Sequence, residues 1–142
     1  MGAPSTEDWI AINDLFIRYA AGLDHGDVEA VTGCFTANAA IESPVIGKFA
    51  GPAGIRDFAE RNARFQKRHR AQLRHVVSNL RVEVRGNRAR AFCYLLDFLT
   101  RGGKTRLLSP GEYDCRLVKT GGKWLFERRL VVMDRPFTIE EL

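Results

Sequence analysis

The sequence predicts an α+β fold in which a curved antiparallel sheet wraps around N-terminal helices. In the N-terminal half, apolar residues recur at steps of three and four, which is typical of amphipathic helices. In the C-terminal half, apolar and polar residues alternate between glycine-containing turns, which indicates a run of antiparallel strands. Pro110 and Gly111 fall inside the third long strand and predict a strong bend there. We expect the 142 residues to form one domain, 1–142.

The first helix is predicted from a stripe of apolar residues and forms the centre of the expected fold. Ser5, with Asp8 three residues later, resembles a capping box that begins this helix, and Gly26 supplies the left-handed residue that ends it. Asp27 can then cap a second, short helix over residues 28–35. The apolar stripe of the first helix consists of Ile12, Leu15, Phe16, Tyr19 and Leu23.

Two short strands and a third helix connect the first helices to the long strands. Residues 38–44 are predicted as a strand ended by Pro44, and residues 45–50 as a second, brief strand. Gly51 and Pro52 then begin the third helix, because proline is tolerated at a first helical position. Four long strands follow, at residues 75–85, 88–100, 104–119 and 123–133.

The composition is that of a soluble globular protein, with 45% hydrophobic and 27% charged residues. No apolar run approaches the roughly 18 residues of a membrane span, and the polar, acidic N-terminus does not resemble a secretory leader. Cys34, Cys93 and Cys115 lie in apolar surroundings without metal-ligand spacing, so we expect reduced core thiols. We therefore predict a cytoplasmic protein without a membrane partner.

The chain carries a formal net charge of +5, and much of the basic excess lies between Arg56 and Arg74. Aromatic residues do not interleave with these charges and no nucleic-acid-binding motif is present, so we predict no nucleic-acid partner. A solvated helix face is the simpler interpretation of this basic segment. The alternative that stays open is that its charge steers an anionic substrate towards a nearby pocket.

Asp24 is the one residue of the first helix that contradicts local rules. It falls in the last turn, where the carbonyl end of the helix dipole disfavours a carboxylate. It also lies at the edge of the apolar stripe rather than on the solvated face. A carboxylate placed in this way suggests a compensating partner, and a functional site is one explanation.

Five short motifs occur in the order of the predicted elements and cover nearly the whole chain. Together they resemble the SnoaL-like branch of the NTF2-like superfamily, which includes scytalone dehydratase, hexachlorocyclohexane dehydrochlorinase and bile-acid 7α-dehydratase. The motifs are Arg18-Tyr19-x4-Asp24-x2-Asp27, Gly51-Pro52-x2-Ile55, His75-x3-Asn79, Gly111-x-Tyr113 and Trp124-x-Phe126-x2-Arg129.

The resemblance implies a catalytic pair made by an aspartate at the end of the first helix and a histidine of the first long strand. By this resemblance His75 is the general base and Asp24 is the carboxylate that orients it. Tyr19 matches a tyrosine of the bile-acid dehydratase pocket and is the third expected catalytic residue. The expected substrate-binding residues are Arg129, Asn79 and Tyr113.

The expected chemistry also follows from the residue types. A carboxylate that accepts a hydrogen bond from one ring nitrogen of a histidine fixes the tautomer and stabilises the imidazolium. A tyrosine or arginine can then donate to a carbonyl oxygen as negative charge develops. Together with this chemistry, the resemblance implies a lyase of the dehydratase type that needs no metal and no organic cofactor. Its expected substrate is a hydrophobic cyclic molecule, polyketide- or steroid-like, with a hydroxyl β to a carbonyl.

Several of these residues also have purely structural interpretations. Tyr19 lies on the apolar stripe and can serve packing alone, and Asp24 can help to cap the second helix. Arg129 can form an exposed salt bridge with Glu127 or Glu112. A strand histidine is often a structural residue, and the direction in which the mid-strand carboxylate at position 97 points cannot be settled by alternation.

Other functions stay open at the level of the sequence. A ketosteroid-isomerase-like or cyclase-like proton transfer is one, although the position of the isomerase base carries Ser43. A non-catalytic module for small-molecule binding or association is another, because a fold does not define an activity. The resemblance also implies a homodimer or a homotrimer.

Overall fold

The computed structural model describes residues 1–44 and 46–137. These residues form three helices and one sheet of six strands. The elements are α1 (Thr6–His25), α2 (Val28–Thr32), β1 (Phe35–Ser43), β2 (Gly47–Ala50), α3 (Gly51–His69), β3 (Ala71–Arg85), β4 (Arg88–Arg101), β5 (Lys104–Thr120) and β6 (Lys123–Met133).

The sheet has the strand order β2-β1-β6-β5-β4-β3. The four long strands form the predicted antiparallel meander, and β2 pairs antiparallel with β1. The pairing of β1 with β6 is parallel, which the sequence analysis did not predict. Bulges shift the register in all three meander pairs, and bulges of this kind bend and twist a sheet. The predicted α+β fold with a curved sheet and N-terminal helices is confirmed.

The predicted helix caps are confirmed, with one difference. Ser5 Oγ accepts a hydrogen bond from the backbone N–H of Asp8, Asp27 caps α2 in the same way, and Gly26 has a φ of 66°. The carboxylate of Asp8 does not complete a capping box, because it accepts from Trp124 Nε1 at 2.9 Å. This bond ties the first turn of α1 to β6.

Several of the predicted boundaries differ from the observed ones. The second helix ends at Thr32 instead of residue 35, because Phe35 already pairs with Phe126 of β6 and begins β1. The strand β3 starts at Ala71 instead of residue 75, since its pairing with β4 extends that far. Residue 45, the predicted start of β2, lies outside the described residues, and the strand is observed at Gly47–Ala50.

The core lies between the helices and the concave face of the sheet. The apolar stripe of α1 is fully buried there, as predicted, and each such side chain contributes about 1.5–3 kcal/mol to stability. The three cysteines are buried and free, also as predicted. None of the helices within residues 1–44 and 46–137 is long and apolar enough to span a lipid bilayer.

Candidate active site

Asp24 and His75 are in direct contact although 51 residues separate them in the chain. His75 Nδ1 lies 2.6 Å from Asp24 Oδ1. The backbone N–H of His75 donates to both carboxylate oxygens at 3.1 Å. These contacts compensate the unfavourable position of a carboxylate at the carbonyl end of α1. They also fix the orientation of the imidazole ring.

A second carboxylate lies on the other side of the imidazole. Asp97 is the register partner of His75 on β4, and its Oδ1 lies 3.6 Å from His75 Nε2. Asp97 is 8% exposed, and its Oδ1 has no hydrogen-bond partner within the described part of the chain. Alternation along β4 left the direction of the Asp97 side chain open. The structure shows that it faces the same interior as His75.

The two carboxylates change the titration of this cluster. Burial alone would lower the pKa of His75, but the charges of Asp97 and Asp24 outweigh it and raise that pKa above its usual value. Burial raises the pKa of Asp97, and the nearby His75 only partly offsets this effect. The cluster therefore stabilises an imidazolium and allows Asp97 to hold a proton more readily than an exposed carboxylate.

Two glutamines hold the end of α1 in place beneath this cluster. Gln66 Nε2 donates to the carbonyl oxygen of Leu23 at 2.8 Å, and Gln72 Nε2 donates to that of Asp24 at 2.7 Å. Gln66 Oε1 accepts from the backbone N–H of Leu73 at 3.0 Å. Gln66 thus links α1, α3 and β3. It lies within the basic segment, where no local pattern indicates that its side chain is buried.

Arg129 lies in an aromatic cage at the centre of the core. Its Cζ is 3.9 Å from the ring centroids of both Tyr19 and Tyr113. The residue is 0% exposed, and none of its three guanidinium nitrogens has a hydrogen-bond partner among the described residues. Cation–π contacts therefore take the place of ion pairing here. Two phenylalanines complete the cage, namely Phe16 and Phe126.

The alternative of an exposed salt bridge for Arg129 is wrong. Trp124 and Phe126 point inward on β6, so simple alternation would expose Arg129. A bulge at Glu127, which lacks a partner in the register with β5, reverses this phase. As a result Arg128 is exposed and Arg129 is buried.

Tyr19 and Tyr113 separate Arg129 from a cavity. Burial raises the pKa of both phenols, and the charge of Arg129 lowers it in part. Both side chains therefore stay protonated at neutral pH and can donate hydrogen bonds. Tyr19 also packs edge-on against the ring of Phe35 with centroids 5.7 Å apart. Tyr19 thus packs in the core and also lines the cavity.

The cavity has a volume of about 100 Å³. His75, Asp97 and Ser43 are polar residues of its lining together with the two tyrosines. Arg61 also lines it and has a side chain that is 57% exposed, whereas that of His75 is 8% exposed. The cavity therefore runs from a mouth on α3 to a buried polar end. Its apolar walls include Leu23, Phe49, Phe58, Leu73, Leu95 and Val131.

Two of the predicted substrate-binding residues do not line this cavity. Asn79 is exposed, because a bulge between Ser78 and Arg81 interrupts the alternation that would turn it inward with His75. It has a φ of 56°, a left-handed conformation that asparagine tolerates. Arg129 lies behind the tyrosines instead of in the lining. Of the predicted set, His75, Tyr19 and Tyr113 line the cavity, and Asp24 lies outside its lining in contact with His75.

The described residues contain no group of three or more His, Cys, Asp or Glu side chains that could hold a metal ion. The buried end of the cavity holds an imidazole between two carboxylates, and two phenols belong to the same lining. This arrangement can move protons on a ligand that enters the cavity.

The curved sheet, the enclosed helices and the apolar cavity define the class of the protein. Its fold is NTF2-like. The chain belongs to the SnoaL-like domain family, whose sequence profile matches residues 4–130. No curated protein sequence matches the chain closely enough to count as a relative.

Solved structures agree with this assignment. A variant of Rv3472, a Mycobacterium tuberculosis protein of unknown function, is similar with a TM-score of 0.83 and 27% identity over 92% of this chain and 79% of that one. An NTF2-like protein with a cystatin-like fold from Novosphingobium aromaticivorans has a TM-score of 0.81 and 22% identity, over 90% of this chain and 82% of that one. A protein of N. aromaticivorans DSM 12444 with the provisional name scytalone dehydratase has a TM-score of 0.78 and 20% identity, over 91% of this chain and 85% of that one.

Proposed function

We propose that this protein is a cofactor-independent lyase that removes water from a hydrophobic cyclic substrate, polyketide- or steroid-like, with a hydroxyl β to a carbonyl. The observation that carries the proposal is the 2.6 Å contact of Asp24 with His75 at the buried end of an apolar cavity. The provisional name of the Novosphingobium neighbour is compatible with it. At 20% identity that likeness supports the fold only.

His75 is the proposed general base. With Nδ1–H donating to Asp24, the lone pair of Nε2 is free to take a proton from the carbon α to the substrate carbonyl. The carboxylate of Asp24 then stabilises the imidazolium that forms, as an aspartate does in hydrolytic triads. Positioned acid–base catalysis of this kind contributes about 10²–10⁴-fold in rate.

Asp97 is the proposed general acid. Its raised pKa allows it to carry a proton, which it gives to the departing hydroxyl so that the C–O bond breaks and water leaves. The electrons of the broken C–H bond form the new C=C bond. The proton on His75 Nε2 can then pass to Asp97 across the 3.6 Å that separates them, which restores both groups.

Tyr19 and Tyr113 are the proposed donors to the substrate carbonyl, whose oxygen gains negative charge when the proton leaves carbon. Both line the cavity as neutral phenols. The charge of Arg129, which lies 3.9 Å behind each ring, opposes the rise in their pKa. A lower phenol pKa makes a stronger hydrogen-bond donor to an oxyanion. Arg129 would thus act through the tyrosines, as a positioning residue.

The experiment uses 3-hydroxy-1-tetralone, a neutral cyclic β-hydroxy ketone whose dehydration product tautomerises to fluorescent 1-naphthol. We expect turnover by the wild-type protein and a loss of about 10²–10⁴-fold in His75→Gln and Asp24→Asn. His25→Gln is the matched control, because His25 is exposed and its ring contacts the carbonyl oxygen of Ala21 on the same helix.

Wild-type protein that binds 1-naphthol without forming it would identify a non-catalytic binding module instead. Turnover that is equal in the wild type and in His75→Gln would contradict the assigned base. A loss in His25→Gln as large as that in His75→Gln would also contradict it.

A further inference from the structure

Arg61 is the only lysine or arginine among the described residues that line the cavity. It lies on α3 with a side chain that is 57% exposed, whereas the His75 side chain of the acid–base cluster is 8% exposed. Its Cζ lies 5.6 Å from the ring centroid of Phe49, another lining residue. The charge of Arg61 therefore lies at the mouth of the cavity, beside the outer end of a bound ligand.

The partner that Arg61 has in the free protein is easily displaced. Its Nε lies 3.0 Å from Asp57 Oδ2, one helical turn away, and the two side chains are 57% and 42% exposed. Exposed ion pairs at this spacing contribute little to stability. A ligand carboxylate can therefore accept hydrogen bonds from the guanidinium, whose fork matches a carboxylate in two-point contact.

Asn62, the next residue, provides a second donor at the mouth. It also lines the cavity, and its Oδ1 accepts from Gln66 Nε2 at 2.9 Å. Because the oxygen is occupied by Gln66, the amide nitrogen is the end of Asn62 that can donate to a ligand. A cation and an amide donor on neighbouring lining residues form a site for an anion.

We propose that the substrate is an aromatic or alicyclic carboxylate whose anionic group binds Arg61 and Asn62 at the mouth while the ring reaches the buried cluster. This inference rests on the proposed function, since it names the class of substrate for the same cavity. Within the basic segment it assigns ligand binding to Arg61 alone among the arginines of α3 nearest to it, because Arg56 and Arg64 lie outside the described lining.

The same helix offers a matched control. Arg64 is exposed to 64% and forms the same type of ion pair, with Glu60 one turn earlier, but it lies outside the described lining of the cavity. Arg61→Gln and Arg64→Gln therefore remove the same charge from the same helix. Only the first change removes a cation from the cavity mouth.

The experiment measures the binding of 2-naphthoate and of neutral 2-naphthol by NMR titration. We expect the wild type to bind 2-naphthoate about tenfold more tightly, because a charge-assisted contact is gained. Arg61→Gln should abolish this preference and leave 2-naphthol binding unchanged. Arg64→Gln should keep the preference, and Arg61→Lys should keep part of it, because the charge remains but the fork is lost.

Equal affinities of the wild type for the two compounds, or no detectable binding of 2-naphthoate, would overturn the inference. Equal losses in Arg61→Gln and Arg64→Gln would also overturn it, because the effect would then come from the general charge of the helix. None of these results affects the elimination assay, whose substrate is neutral. Failure of this inference and failure of the proposed function are therefore distinguishable.

Discussion

At the scale of single residues, Asp97 departs from what stability alone would select. A buried carboxylate with an unpartnered oxygen destabilises a fold, and an asparagine of the same shape would avoid the charge. Residues that lower stability in this way concentrate at functional sites. Asp97 Oδ1 also lies 3.6 Å from His75 Nε2, the ring nitrogen that does not contact Asp24.

We predict that Asp97→Asn lowers activity but increases stability. Asp97 has a raised folded-state pKa, so its stabilising effect is complete below the unfolded value of 3.8 and is lost as the pH rises through the folded pKa. Removal of the carboxylate should therefore add about 1 kcal/mol or more to the free energy of unfolding at neutral pH. The gain should be larger above the pKa of His75, where Asp97 no longer attracts an imidazolium.

The measurements are chemical denaturation between pH 5 and 9 and an NMR titration of His75, whose pKa should fall in the variant. Asp114→Asn is the matched control, because this carboxylate pairs with Arg90 on the exposed face. An unchanged pKa of His75 in Asp97→Asn, or a variant less stable than the wild type at pH 9, would contradict the interpretation.

At the scale of elements, the positions of Asp24 and His75 depend on how α1, α3 and β3 are joined. Gln66 forms this junction, because its one side chain bonds to Leu23 of α1 and to Leu73 of β3. The junction lies directly below the carboxylate that orients the imidazole. The geometry of the dyad is thus determined by side-chain contacts outside the cavity as well as inside it.

Gln66→Leu should lower the free energy of unfolding by about 1–3 kcal/mol, because it removes the side-chain acceptor of the buried Leu73 N–H and one of the two donors to the carbonyl oxygen of Leu23. It should also lower the pKa of His75, since Asp24 would no longer be held against the ring. Lys67→Leu, an exposed change on the same helix, is the control. Denaturant titration and NMR measure the two effects, and a variant as stable as Lys67→Leu would refute this role.

The bulges show where sequence patterns stop being informative. Alternation predicts that Asn79 faces inward and that Arg129 faces outward. A bulge in each strand reverses these orientations, so that Asn79 is exposed and Arg129 is buried. On β4 the difficulty is different, since Tyr94, Leu96 and Phe98 are as apolar as their inward-facing neighbours. Neither a bulge nor the inward phase of an apolar strand has a local signal in the residues, so the orientation of Asp97 could not be predicted.

At the scale of the whole molecule, the order and type of the elements were predictable because helical spacing, alternation and turn residues are local signals. The parallel pairing of β1 with β6 was not, because it joins segments far apart in the chain. Asp24 attracted attention by contradicting helix rules. Its contact with His75 was implied only by the resemblance to a family, since no local pattern connects residues 51 positions apart.

The central claim is that His75, oriented by Asp24, removes a proton from carbon inside the cavity. The most direct measurement is the exchange of the C2 protons of 1-tetralone with solvent deuterium, followed by proton NMR. This ketone lacks the leaving hydroxyl, so the experiment isolates the proton transfer. We expect exchange well above the buffer rate in the wild type, reduced about 10²-fold or more in His75→Gln and unchanged in His25→Gln. Exchange at the buffer rate, or equal rates in the wild type and His75→Gln, would contradict it.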